Sequence, residues 1–366
     1  MAVYISSFRL HNFRNFEKFA VEFSSGLNII VGPNGAGKSN LLEAIGLLAV
    51  GKSFRSAKLK YLIKQGQKQS VSEGVISTGD LTKFKLAVSL ESSGRKLLFN
   101  GKSCLPRDFF SRFQAVIFSP RHLDIITDSP ALRRAFLDDI LVGLSSEYEE
   151  IVGQYRHVLH QRNKLLSQAR DMDEQMAFWN QKLVSFGGMI IVQRYRLVQE
   201  LNCRLSQWKL KLDYYPSPRV IRRELESGWE ESQVQELIRN KLKQTQERER
   251  EMGFTLIGPQ RDEVKILGPI IANGSVEDLS FFGSRGQQRL AVVRLKTGQL
   301  DLMEEKLGQR PVFVCDDIFS ELDNKAREAL LPSFTKQQTL ITAVTQPEIL
   351  KEANMIDLRK TNSKHK

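Results

Sequence analysis

Cysteine is scarce in this chain of 366 residues, and Cys104, Cys203 and Cys315 stand far apart with no C-x-x-C pair. That excludes a disulfide framework and a zinc hook, and leaves each cysteine as a small packed residue or an idle thiol. Long apolar runs are missing too. The best of them, Leu41 to Val50, contains Glu43 and is too short to span a bilayer. Met1 to Phe13 lacks the apolar centre of a signal peptide, so the expected setting is the cytosol, with no membrane partner. There is no internal repeat, and no heptad pattern persists long enough for an extended coiled coil. Acidic residues are the minority charge: 42 against 54 basic ones give a formal net charge of +12. Such an excess points to a polyanionic partner, because cations facing phosphates release condensed counterions.

What is present is a complete G-x-x-x-x-G-K-[ST] motif, Gly32-Pro33-Asn34-Gly35-Ala36-Gly37-Lys38-Ser39. An apolar run, Leu27 to Val31, leads into it, and Asn40 to Leu48 follows with helical spacing. This is the strand, loop and helix context that a phosphate-binding loop needs. Glycines let successive backbone N–H groups turn toward phosphate oxygens, and the positive end of the helix starting near Lys38 adds to that cradle. Lys38 would reach the β- and γ-phosphates of a nucleotide, and Ser39 would hold Mg²⁺.

Around that motif the first third of the chain is predicted to be rich in strands. Val3 to Leu10 and Phe16 to Phe23 alternate apolar and polar residues about Asn12-Phe13-Arg14-Asn15. Residues 83–90 and 96–99 alternate likewise, Asn100-Gly101 supplies a type I′ hairpin turn, and Ala115 to Phe118 reads as a short buried strand. Residues 129–250 read as mostly helix, from apolar positions such as Ile151, Val152, Tyr155 and Val158, or Val234, Leu237, Ile238 and Leu242. Within them Gly187-Gly188 predicts a kink or an inter-helix turn, and Ser232-x-x-Gln235 a capping box. Strand patterns return at Phe254 to Pro259 and Glu263 to Leu267. Three short apolar strands close the chain, at Val312 to Cys315, Thr339 to Thr342 and Met355 to Leu358. One α/β domain, residues 1–124 and 253–366, is therefore expected to be interrupted by a helical insertion at 125–252.

Pro311 to Asp317 is an apolar strand ending in two acids, the form of a Walker B segment. Asp316 would help to hold Mg²⁺ and Asp317 would orient the attacking water. Alone, a strand ending in Asp-Asp is common. It gains weight from Ser320-Glu321-Leu322-Asp323 just after it and from Phe282-Gly283-Ser284-Arg285-Gly286-Gln287-Gln288-Arg289 upstream.

Taken in order, phosphate loop, signature, Walker B and the Ser-Glu-Leu-Asp segment resemble the ABC-type ATPase heads of the SMC-like DNA repair proteins. Supporting strings run along the whole chain: Asn12 to Asn15, Phe118-Ser119-Pro120, Ser129 to Asp138 and Ile257 to Asp262. The resemblance implies an α/β, ABC-type P-loop ATPase head with an inserted, mainly helical second lobe, using ATP and Mg²⁺. It implies that Arg14, Asn15 and Asn40 join the loop residues on the nucleotide, and that Asp323 lies in the D-loop. It further implies an ATP-dependent homodimer, in which Ser284, Gly286 and Gln287 of one subunit meet the γ-phosphate held by the other's Lys38. The implied activity is a weak, DNA-stimulated ATPase whose main role is to clamp double-stranded DNA and single-strand/double-strand junctions. Its implied process is recombinational repair and replication, loading RecA at gaps, with RecR and RecO as partners. Candidate DNA contacts are Arg133, Arg134, Lys58 and Lys60, among further basic residues that include Arg156, Arg162, Lys164, Arg194 and Arg196. Few aromatics are interleaved with these cations, which favours duplex backbone over base stacking.

The pattern is broken in places. Arg121-His122-Leu123 and Gln260 replace the family's usual residues, and Thr342-Ala343-Val344-Thr345, followed by Gln346, stands where ABC transporters carry a switch histidine. A transporter ATPase is disfavoured by that absence and by the Asp at 317. A small-substrate kinase would have no use for the Ser-x-Gly-Gln signature. An ATPase subunit of another ABC-type assembly, not acting on DNA, is the alternative.

Overall fold

A helix that is apolar on every side needs cover on every side. In the computed structural model, Leu41 to Ala49 are all buried in α1 (Lys38–Val50), which packs among strands of two sheets. The structure describes residues 3–55, 58–79, 82–168, 173–225, 228–269, 275–319 and 324–361. Contacts divide the chain into a first unit, Met1–Leu123 with Val292–Lys366, and a second, Asp124–Ala291.

In the first unit, six antiparallel strands run in the order β2-β1-β4-β5-β6-β7. They are β1 (Tyr4–Phe13), β2 (Phe16–Glu22), β4 (Gln69–Ser77), β5 (Lys83–Glu91), β6 (Gly94–Phe99) and β7 (Lys102–Ser103). Asn100 and Gly101, with φ of 47° and 81°, turn the chain between β6 and β7 as the sequence predicts. The other sheet is parallel, in the order β14-β3-β13-β12-β8. Its strands are β3 (Leu27–Val31), β8 (Ala115–Phe118), β12 (Val312–Cys315), β13 (Thr339–Ala343) and β14 (Asn354–Asp357). The residues of β3, β8, β12 and β13 are mostly buried because both faces are covered, whereas β14, at one edge, exposes Asn354 and Met355. The order sets the ends of β3, β13 and β12 side by side, and the phosphate loop and the acid pair follow the outer two of these three. Gln338 ties the two sheets together, accepting the Ile5 N–H at 2.9 Å and donating to the Ile5 carbonyl at 2.8 Å.

The second unit is built on the helices Pro130–Leu144, Ser146–Ser167, Asp173–Leu205 and Glu231–Met252. A small antiparallel sheet, β11-β10-β9, completes it: β9 (Lys211–Tyr215), β10 (Glu263–Pro269) and β11 (Val276–Asp278). The fold is thus α/β with a mainly helical inserted lobe, as expected. The boundary drawn at residue 252 moves to 291, because β10 pairs with β9 of the inserted segment.

Three local expectations fail for identifiable reasons. Gly187 and Gly188 lie inside the unbroken helix Asp173–Leu205, so of the kink or inter-helix turn expected there, the turn is not formed. Their role is close packing, since a Cβ on Gly188 would sit 2.6 Å from Gln235 Cγ of the helix Glu231–Met252. Ser232 lies within that helix and caps nothing, the N-cap being Glu230 without a side-chain bond. Phe254 to Pro259 is not a strand. Side chains take its amides instead, the Thr255 N–H going to Asn163 Oδ1 at 2.8 Å and the Leu256 N–H to Glu249 Oε1 at 2.7 Å.

Candidate nucleotide site

The loop after β3 turns on Gly35 and Gly37, whose φ of 83° and 101° lie in the left-handed region that side chains avoid. A Cβ on Gly37 would also come within 2.7 Å of Asn15 Nδ2, so the hairpin between β1 and β2 rests against the loop. Lys38 Nζ donates to the carbonyls of Gly32 at 2.7 Å and Pro33 at 3.0 Å, which holds the ammonium across the loop. Burial lowers its pKa, while the nearby Asp316 and Asp317 act in the opposite sense. Neutral carbonyls are weaker partners for an ammonium than phosphate oxygens, so these bonds are exchangeable.

At the end of β12 the acids form a network with β13 and α1. Ser39 Oγ donates to Asp316 Oδ1 at 2.8 Å, and Thr342 Oγ1 donates to the same oxygen at 2.9 Å. Thr342 Oγ1 in turn accepts the Asp317 N–H at 2.8 Å. Thr342 therefore fixes both acids, a job the sequence does not reveal. Burial pushes the Asp316 carboxyl above its ordinary range, and the bonds from Ser39 and Thr342 counteract this. Asp317 is exposed and has a left-handed φ of 52°, a conformation Asp tolerates better than most residues. A hydroxyl and a carboxylate oxygen held together are a hard oxygen donor set that suits Mg²⁺, which binds few protein ligands and keeps waters and phosphate oxygens.

Beside the loop lies an open cleft of about 700 Å³, lined by Arg14, Asn15, Asn40, Lys60, Tyr61, Ile63 and Gln65. Asn40 Nδ2 donates to Asn15 Oδ1 at 2.7 Å, and Arg55 Nη1 donates to Asn40 Oδ1 at 2.7 Å. Glu43, fully buried in α1, anchors this wall by accepting from Arg14 Nε at 3.0 Å and Nη2 at 2.8 Å, and from the Ser53 hydroxyl. Sequence reasoning missed Glu43, Arg55 and Tyr61 as site residues, and placed Thr342 at the switch position without its bonds to the two acids. Only Glu43 left a signal, as the lone acid in an apolar run. Lys60, expected at DNA, is exposed and lines this cleft, its Nζ 5.3 Å from the centre of the Tyr61 ring. Lys58 is exposed just before it.

The signature residues begin the helix Arg285–Leu307. Ser284 and Gln287 cap each other: the Ser284 N–H donates to Gln287 Oε1 at 2.9 Å, and Ser284 Oγ accepts the Gln287 N–H at 3.3 Å. Gln287 Nε2 also donates to the Pro269 carbonyl at 2.9 Å. Ser284 and Gly286 are exposed, and a Cβ on Gly286 would meet nothing within 4 Å. Asp323 and the rest of the Ser-Glu-Leu-Asp segment lie outside the described residues.

Arg133 and Arg134, also expected at DNA, have partners within the second unit. Arg133 bonds Glu263 at 2.9 Å and the Asp128 carbonyl at 2.7 Å, and Arg134 bonds the Asp262 carbonyl at 2.7 Å. Arg162 and Arg194 are buried in ion pairs with Glu249 and with Asp138 and Asp262. The guanidinium groups of Arg162 and Arg194 brace the fold, because a buried cation needs its partners at hand, while Arg133 and Arg134 are half-buried. The odd residues are structural as well. Gln260 Oε1 accepts from the Tyr155 hydroxyl, Arg121 Nη1 donates to the Arg55 carbonyl at 2.7 Å, and His122 Nδ1 accepts the Ser119 N–H at 2.9 Å. Gln346 Nε2 donates to the Leu350 carbonyl at 2.7 Å.

A family model described as the RecF/RecN/SMC N-terminal domain matches residues 4–366. The DNA replication and repair protein RecF of Synechococcus sp. (strain JA-3-3Ab) is 34% identical over 358 residues, covering 93% of this chain and 91% of that protein. A solved structure of the recombination mediator protein RecF with ATP, in the RecFOR pathway, aligns with a TM-score of 0.84 at 30% identity, covering 95% of this chain and 93% of that one. A Smc head bound to the C-winged helix domain of ScpA shares the fold, with a TM-score of 0.57 at 15% identity and coverage of 97% and 93%.

Proposed function

The chain belongs to the RecF/RecN/SMC N-terminal domain family, on its RecF side, and from that premise we propose that it is an ATP-dependent DNA clamp of recombinational repair and replication. The observation that carries the nucleotide part is the network Ser39–Asp316–Thr342–Asp317 at the mouth of the phosphate loop. Lys38 would exchange the Gly32 and Pro33 carbonyls for phosphate oxygens, and Ser39 with Asp316 would hold Mg²⁺. The metal supplies charge neutralisation on the phosphates when bound. Arg14, Asn15 and Asn40, with Lys60 and Tyr61, would line the nucleoside side.

Hydrolysis is slow in this reading. Asp317 orients the attacking water from a side chain one methylene shorter than the Glu of many ABC ATPases, and ~1 Å of misplacement costs on the order of 10² in rate. The ATPase is weak and DNA-stimulated, and it times release. Two chains close on ATP, each presenting Ser284, Gly286 and Gln287 to the other's γ-phosphate. The mutual cap of Ser284 and Gln287 supports this, since it leaves an exposed helix N-terminus ordered for an anion. Duplex DNA and single-strand/double-strand junctions are the substrates, with RecR and RecO as partners.

Light scattering with ATP, a non-hydrolysable analogue and ADP tests the clamp. Dimer is expected with the first two and monomer with ADP, because a ligand shifts an equilibrium only through differential affinity. Ser284→Arg should abolish the dimer while leaving ATP binding to the monomer nearly intact. Equal masses in all three states would refute it.

A further inference from the structure

The second unit carries a basic surface that no motif marks. On β9 and β10, Leu212, Tyr214, Val264 and Ile266 are buried, so the alternate residues Lys211, Asp213, Tyr215 and Lys265 share the opposite face. Register sets Lys265 across from Asp213. The chain after β9 returns Arg219 and Arg222 to the same place. Arg222 lies 4.1 Å from the centre of the Tyr215 ring, Lys265 Nζ 5.8 Å and Arg219 5.9 Å.

Three cations thus surround one aromatic ring. Asp213 is the acid among them, bound by Arg222 at 2.8 Å and by the Tyr215 hydroxyl at 2.6 Å. Glu263, which register places opposite Tyr215, is held by Arg133 at 2.9 Å. Positive charge is therefore in excess here, and Lys211, Arg219, Arg222 and Lys265 are all exposed. Attraction to the ring holds the long side chains in place before any ligand arrives, which lowers the ordering cost of binding. Arg162 and Arg194 offer no such surface, since each is buried with its acids inside the unit.

We infer that this face of the second unit contacts the phosphate backbone of duplex DNA, an inference that rests on the DNA-clamp reading above. The chemistry favours backbone over bases, and duplex over single strands. The Tyr215 ring is flanked by its own cations and offers no free platform for stacking, while fixed cations suit regularly spaced phosphates.

The test replaces Lys211, Arg219 and Lys265 together by Glu, leaving Arg222 and Tyr215 to hold Asp213. A control places the same charge change on the first unit, at Lys18, Lys83 and Lys102, all exposed. Fluorescence anisotropy with a labelled duplex and ATP, over a salt series, reads the affinity. The patch variant should bind at least tenfold more weakly than the wild type, and its plot of log affinity against log salt should be shallower by about 2 to 3. Glutamine at the three positions should give a smaller loss in the same direction, with an unchanged unfolding midpoint. Wild-type affinity in the patch variant, or an equal loss in the control, would overturn the assignment of this face and leave the clamp reading standing. A wild-type protein that binds no duplex at any salt would overturn the clamp reading and this inference together.

Discussion

In the second unit, Arg194 is buried with its donors matched to acceptors: Nε and Nη2 reach the two oxygens of Asp138 at 2.9 Å, and Nη1 reaches Asp262 and the Pro259 carbonyl at 2.7 Å. In the first unit, Lys38 lies across a glycine loop with two backbone carbonyls as hydrogen-bond acceptors and Asp316 and Asp317 near enough to act on its charge, and Arg14 lines an open cleft while paired with the buried Glu43. The same charge serves different ends because of its partners. A cation matched to buried carboxylates gains nothing by leaving them, whereas one on neutral carbonyls gains by exchanging them for phosphate. Saturation of partners, more than residue type, separates architecture from site.

The hardest test of that contrast is Arg194→Met, which leaves Asp138 and Asp262 without their cation. It should lower unfolding free energy by about 3–5 kcal/mol in urea titrations. A loss below ~1 kcal/mol would mean that the network is not what braces the unit. Lys38→Met should behave in the opposite manner. Its unfolding midpoint should hardly move, while ATP affinity measured by calorimetry falls by about 1.5–3 kcal/mol, the worth of hydrogen bonds to a charged group. Equal ATP affinity in this variant would remove Lys38 from the site.

His122 sharpens the comparison from within the first unit, as a group whose Nδ1 is held by the Ser119 N–H. Burial and the Lys296 ammonium push its pKa well below 6.5, and its Nδ1 must stay unprotonated to accept the Ser119 N–H. The unfolded chain takes up a proton near 6.5 that the folded chain refuses, so this contribution is full above that pH. It declines as pH falls, by up to about 1.4 kcal/mol per pH unit. His122→Gln should flatten the stability profile below neutrality, and an unaltered profile would show the ring to be uncoupled from folding. The smallest effect is expected from Glu43→Gln. It keeps an acceptor for Arg14 but removes the charge, and should weaken ATP binding by about 1 kcal/mol or less. An effect as large as that of Lys38→Met would place Glu43 at the nucleotide itself.

Several elements were legible before any coordinates. The strand, loop and helix around Gly32 to Ser39, the apolar strands that close the chain and the Asn100-Gly101 turn all follow from local pattern. β4 did not, because its inward positions include Ser70, Ser72 and Gly74 in place of an apolar stripe. Phe254 to Pro259 looked like a strand because its alternation cannot show that Asn163 and Glu249 take the amides.

The sequence alone determined the nucleotide loop and the paired acids, because glycine conformations, the helix start that follows them and strand-end carboxylates are set by neighbours in the chain. It also determined that the chain is basic. Which cations remain available was decided only in three dimensions. Arg162 meets Glu249 across 87 residues and Arg194 meets Asp262 across 68, and no spacing rule announces such pairs. Ion pairing is a property of position in space, so tertiary packing buried Arg162 and Arg194 among their acids, half-buried Arg133 and Arg134 against Glu263 and the Asp262 carbonyl, and left Lys211, Arg219, Arg222 and Lys265 exposed.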